Sequence, residues 1–156
     1  MATTALLATL ALLLAFALPA AGSSPLQQGS GEGLITIADI DEVAAPGGNS
    51  IQERVINGTV TGELDGTFVQ EVRGVVRRDG QVTFQGTMTF TGKIGDCGAG
   101  TITLGLNGKG VGGPAPVTES RVRAIRQAGN DVAVVGQGTV SQAGLDVTYE
   151  LTYRCR

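Results

Sequence analysis

The chain has 156 residues, a net charge of −3, two cysteines, and neither histidine nor tryptophan. That length suits one domain. The missing histidines exclude Ser-His and Cys-His nucleophilic machinery and His-ligated metal sites, and the mild acidity gives no electrostatic reason to bind nucleic acid or anionic lipid.

Residues 5–22, ALLATLALLLAFALPAAG, form an uncharged apolar run that ends in small residues. This is the pattern of an export signal, with small-residue cleavage sites around Leu18-Pro19-Ala20-Ala21. A retained anchor is the alternative, although the apolar core is short of the roughly 20 residues that a spanning helix needs. No lysine or arginine precedes the run, a departure from the signal pattern: either the amino terminus alone carries the positive charge or the true start lies elsewhere. The expected organisation is a signal peptide (residues 1–22), a flexible Gly/Ser-rich leader (23–33) and a folded domain (34–156), secreted and free of the membrane after cleavage.

From residue 34 onward, runs of β-formers alternate with turns rich in Gly, Asp or Asn. GLITIADIDEV opens the series as a strand of unsettled phase and carries Asp39, Asp41 and Glu42. Hard cations take carboxylate oxygens, but these three lack the spacing of a calcium loop. They read as a solvated strand end, and no metal is expected. ERVINGTVTGEL places Ile56, Val60 and Leu64 inward, with Asp65-Gly66 expected to turn the chain. TFVQEVRGVVR places Phe68, Val72, Gly74 and Val76 on one face. Asp79-Gly80 then suits a two-residue hairpin turn, because both residues tolerate positive φ.

QVTFQGTMTFTG is the clearest strand. Val82, Phe84, Gly86, Met88 and Phe90 share one face; Thr83, Gln85, Thr87, Thr89 and Thr91 share the other. A period of two describes a half-buried strand, and the polar, β-branched threonines suit its wet face. GTITLGLNG follows, with Ile102, Leu104 and Leu106 together. It runs into NGKGVGG, a literal G-x-G-x-x-G at Gly108, Gly110 and Gly113. A dinucleotide loop needs a helix N-terminus after the glycines. Here PAPV and another strand follow, so no cofactor is expected and the segment reads as a mobile rim loop.

Three strands complete the series. ESRVRAIRQ sets Val122 and Ala124 against Arg121 and Arg123. DVAVVGQGTVS groups Val132, Val134 and Val140, and LDVTYELTYRC groups Leu145, Val147, Tyr149, Leu151, Tyr153 and Cys155. Eight closely spaced strands without a helix predict an all-β fold, an eight-stranded antiparallel up-and-down barrel. A two-sheet sandwich is the rival, but consecutive hairpins describe a meander.

Cys97 and Cys155 are the only cysteines, and an oxidising compartment favours a bond between them. Two free thiols or a redox pair are the alternatives, although the two cysteines lack C-x-x-C spacing. Four polar side chains are candidates for the barrel interior: Gln70, Gln137, Tyr149 and Tyr153. A buried amide or phenol must be hydrogen-bonded, either to the barrel itself or to a ligand. Inward glycines at Gly58, Gly62, Gly74, Gly86, Gly136 and Gly138 either let the strands coil tightly or leave room inside. Periodicity does not separate these.

FQGTMTFTGKIGDCGAGTITLGLNG, followed by VVGQGTVSQAGLDVTYELTY, resembles a bacterial family of small uncharacterised proteins related to the allene oxide cyclase-like, or calycin-like, barrels. The resemblance rests on Phe90-Thr91-Gly92, Gly100-Thr101-Ile102, Gly136-Gln137-Gly138 and Thr148-Tyr149. It implies an eight-stranded antiparallel barrel with a central cavity. In the plant cyclases that cavity holds a fatty-acid epoxide and steers its cyclisation largely by shape; their catalytic carboxylate has no matched position here. The expected function is a secreted barrel that binds a small apolar or amphipathic molecule, oriented by Gln70, Gln137, Tyr149 or Tyr153, or that acts structurally. The alternative is a cyclase- or isomerase-like enzyme using the same cavity.

Overall fold

The structure, a computed structural model, describes residues 24–126 and 129–156. The expected signal peptide lies outside the described residues. Eight strands follow in chain order: β1 (Gln27–Ala45), β2 (Asn49–Gly62), β3 (Leu64–Val76), β4 (Gln81–Ile94), β5 (Ala99–Val111), β6 (Val117–Ile125), β7 (Val134–Ala143) and β8 (Asp146–Cys155). Each pairs antiparallel with the next, and β8 pairs with β1, closing an up-and-down barrel. Single 3₁₀ turns lie at Pro46–Gly48 and Gly95–Cys97.

The alternation read in β4 sets its orientation. Val82 and Phe90 are buried, Phe84 and Met88 are partly buried and inward, and Thr83, Thr89 and Thr91 face solvent. Inward side chains form two packed groups. The larger contains Phe68, Phe90, Ile94, Ile102, Tyr149 and Tyr153. The smaller contains Val72, Leu106 and Val122, with Phe84, Met88, Val140 and Leu151 packed against it and only partly buried.

The first strand has no single phase because it contains a bulge. Ile35 opposes Gly58 and Ile37 opposes Asn57, so Thr36 is an extra residue. One extra residue exchanges the two faces of a strand. Gly31, Gly33 and Ile35 are therefore inward before it, and Ala38, Ile40 and Glu42 after it. The strand also begins earlier than the composition suggests. Residues 27–33, assigned above to the leader, pair with β8 from Gln27 opposite Tyr153 to Gly33 opposite Val147. Gly31 lies against the Tyr149 hydroxyl and Gly29 against the Glu63 side chain, so neither position has space for a Cβ. Close backbone approach, not flexibility, explains these glycines.

Several turns differ from expectation. Asp65-Gly66 lies within β3; the chain reverses at Gly62 and Glu63, with Gly62 at φ 106°. At the β3–β4 connection Gly80 alone has positive φ, and its N–H donates to the Arg77 carbonyl at 2.9 Å. That is a longer hairpin turn than the two-residue type, which needs both central residues at positive φ. In NGKGVGG, Gly108 and Gly110 belong to β5. A Cβ on Gly108 would collide with the Phe84 ring, so this glycine makes room for an aromatic. Leu145, expected inward, sits in the β7–β8 turn and is 60% exposed.

The Cys97–Cys155 disulfide is formed, with a Cα–Cα distance of 5.2 Å. It ties the β4–β5 connection to the end of β8.

Candidate functional site

The two ends of the barrel differ in chemistry. The end carrying the disulfide is closed by tyrosines. The Tyr149 hydroxyl accepts from Leu64 N–H at 2.7 Å and faces the carbonyls of Thr61 and Leu64 at 3.0 and 3.2 Å. The Tyr153 hydroxyl donates to Glu63 Oε1. Burial raises both phenols above their ordinary value, and for Tyr153 the bond to Glu63 adds to the rise. Both are inward, as expected, and both are engaged by protein groups.

The opposite end, near the β1–β2 and β7–β8 connections, is a polar mouth. Alternation along β2 carries Gln52 and Arg54 onto the same inward face as Ile56 and Val60. The Arg54 guanidinium is half-buried. Its Nε donates to Gln52 Oε1 at 2.9 Å, and Gln52 Nε2 donates to Glu42 Oε2 at 2.8 Å. Hydrogen bonds from Ser50 and Gln52, with the Arg54 charge beyond, hold the Glu42 carboxyl below its ordinary value. Burial lowers Arg54 from its own, but a guanidinium stays charged in proteins. Among the described residues no carboxylate lies within ion-pair distance of Arg54, and Glu42 is linked to it only through the Gln52 amide.

Gln70, from the adjacent strand β3, and Thr118 and Gln142, from β6 and the end of β7, line a cavity with Arg54 over a wall of Ile56, Val72 and Phe84. Gln142 Nε2 donates to the Gly144 carbonyl at 2.8 Å, and Thr118 Oγ1 donates to Gln142 Oε1 at 3.4 Å. The barrel interior holds small cavities of about 40, 30 and 20 Å³. The 40 and 20 Å³ cavities share Gln70, Phe84, Thr118 and Gln142 and so lead inward from the mouth. A cavity for a drug-sized ligand is several hundred Å³, so the interior is largely filled. The inward glycines contribute to the filling: a Cβ at Gly58 would lie 2.5 Å from the Phe68 ring, and one at Gly74 would lie 3.0 Å from Phe84.

Of the four sequence candidates, Gln70 faces the mouth and the two tyrosines close the far end. Gln137 requires correction. It pairs with Thr152 and Arg123 on the outward register, and its side chain is exposed in an open surface depression of about 880 Å³ with Arg121, Arg123 and Glu150. The neighbours that face inward are Gly136 and Gly138, and the inward amide of β7 is Gln142. Arg54, Gln52 and Gln142 were missed, although counting back by twos from Ile56 reaches the first two. Asp39 and Asp41 point outward while Glu42 points into the mouth, so the three acids do not converge on one cation.

No family model matches the chain, and no curated protein matches it. Among solved structures it is similar to a protein with unknown function from the DUF3224 family of Shewanella oneidensis MR-1, with a TM-score of 0.63 and 16% identity. The alignment covers 85% of this chain and 98% of the other. At that identity the similarity describes the barrel fold alone.

Proposed function

We propose that this is an exported β-barrel whose mouth binds a small amphipathic anion, with a carboxylate or similar head on Arg54 and a short apolar part against Ile56, Val72 and Phe84. The observation that carries the reading is the half-buried Arg54 guanidinium, which has a neutral amide as its partner and no ion-paired acid among the described residues. Burying a cation is costly when the nearest carboxylate, Glu42, sits beyond an intervening amide and makes no direct ion pair, and a bound anion would offset that cost. Arginine's planar fork also suits a carboxylate bidentately. The small interior volume limits the ligand to the mouth, with partly buried Met88 as an adaptable floor. Export is supported by the apolar leader sequence and by the disulfide, which persists in oxidising compartments.

The test is titration calorimetry of the mature chain with a medium-chain carboxylate and the alcohol of equal length. The carboxylate is expected to bind about tenfold more tightly or better, the value of a charge-assisted hydrogen bond. Arg54→Met should bring the two to equal affinity. Equal binding to the native mouth, or binding of neither, would leave a filled barrel with a structural role. A cyclase- or isomerase-like reaction, which the allene oxide cyclase-like resemblance implies, is the second reading. It would use the same contact at Arg54, and product analysis with an epoxide-bearing fatty acid separates it from simple binding.

A further inference from the structure

Among the places where one strand outruns its neighbour, two at opposite ends of the barrel are finished differently. At the disulfide end β5 extends past β6, which pairs only from Thr103 onward. There the β6–β7 connection covers the edge. Asn130 Oδ1 accepts from Thr103 N–H at 3.0 Å, Asp131 Oδ1 accepts from Thr101 N–H, and Asp131 N–H donates to the Thr101 carbonyl at 3.1 Å. At the mouth, β1 outruns β8. Their pairing stops at Leu34 opposite Asp146, with one further bond from Ile35 N–H to the Leu145 carbonyl. Residues 36–45 pair with β2 alone. Among the described residues nothing pairs with their other side, so the outward-facing backbone donors and acceptors form an open edge.

Two features select what this edge would accept. Exposed apolar side chains border it: Ile40 at 51%, Val43 at 67% and Leu145 at 60% exposure. The strand also carries Asp39, Asp41 and Glu42 and has no lysine or arginine. A second copy of this chain is a poor occupant. Antiparallel self-pairing of a strand with three acids in four positions sets like charges opposite one another.

We propose that the open edge of β1 takes up an extended segment of a partner protein, alternating apolar with Lys or Arg residues, as an added strand beside the mouth. Main-chain hydrogen bonds would supply affinity, and the alternate side chains specificity. The basic residues would lie along the Asp39 and Asp41 face, and the apolar ones beside Ile40. This inference does not depend on the Arg54 reading.

The test is fluorescence anisotropy of the mature chain with a short labelled peptide of alternating lysine and valine. It should bind, more weakly as salt rises, while an alternating glutamate–valine peptide should not. Methylating alternate backbone nitrogens on the peptide removes edge hydrogen bonds without altering the protein, and should weaken binding about tenfold or more. Asp39→Asn with Asp41→Asn, both at exposed positions, should flatten the salt dependence. Binding that survives N-methylation of either set of alternate nitrogens, no binding of the lysine–valine peptide, or sedimentation showing that the chain pairs with itself through this edge would each overturn the proposal.

Discussion

The two ends of the barrel are made from the same strands, yet one is sealed and the other is open. At the disulfide end, Phe90 and Ile94 are 1% and 2% exposed, both tyrosine hydroxyls are bonded, and side chains cover the surplus edge of β5. At the mouth, Phe84 is only partly buried, polar groups replace aliphatic ones, and among the described residues nothing pairs with the surplus edge of β1. The contrast separates two tasks. The sealed end contributes most of the packing that holds a closed barrel together, and the open end leaves polar and backbone groups uncovered among the described residues. Substitutions should therefore cost stability at one end and binding at the other.

The largest expected effect is on the disulfide. Replacing Cys97 and Cys155 together by serine opens a loop with a sequence separation of 58 and should lower unfolding free energy by about 4 kcal/mol on the chain-entropy model. Urea denaturation measures it. Next comes the paired comparison of phenylalanines on β4. Phe90→Ala should cost about 3 kcal/mol or more, and Phe84→Ala about half of that, because Phe84 is already partly solvated. Equal losses would remove the distinction between the two ends.

The tyrosines sharpen the comparison through pH. Their folded pKa values lie above the ordinary 10.0, first because of burial. The fold thus favours the protonated form. This contribution is complete below about pH 10, the unfolded value, and is lost as pH rises through the folded value. The chain has two tyrosines and no tryptophan, so near-ultraviolet absorbance reports these hydroxyls alone. Tyrosinate should appear together with alkaline unfolding, not before it. Free ionisation of a folded chain near pH 10 would show that the sealed end is not sealed.

The smallest expected stability effect is at the mouth. Arg54→Met removes a desolvated charge but leaves Gln52 Oε1 without its donor. These opposing terms should keep the change within about 1 kcal/mol. The same substitution should abolish the preference for carboxylate over alcohol. A large loss of stability here would make Arg54 a structural residue.

Much of the barrel was legible wherever side chains alternate strongly in polarity. Phe84, Met88 and Phe90 against a row of threonines left only one face to bury, and the cysteine pair needed only an oxidising compartment. Reading failed where that contrast is weak. Residues 27–33 resemble a linker because Gly29, Gly31 and Gly33 carry no side chain to mark a face; their need for glycine comes from Tyr149, Glu63 and Val60, which press against them from other strands. Gln137 was set inward although alternation from Val134 and Val140, through Gly136 and Gly138, puts position 137 on the outer face; pairing with Thr152 shows the same. The mouth was missed because Arg54 and Gln52 look like surface residues until the neighbouring strands curve round them.

Taken alone, the sequence determined the class, the number of strands, the side of β4 that is buried and the identity of the bonded cysteines. These follow from local alternation and from there being only two thiols. Only the tertiary structure decided that the interior is nearly filled, that a bulge at Thr36 exchanges the faces of β1, and that β1 outruns β8. Those outcomes depend on how close distant strands come and where their pairing stops, which no single strand encodes.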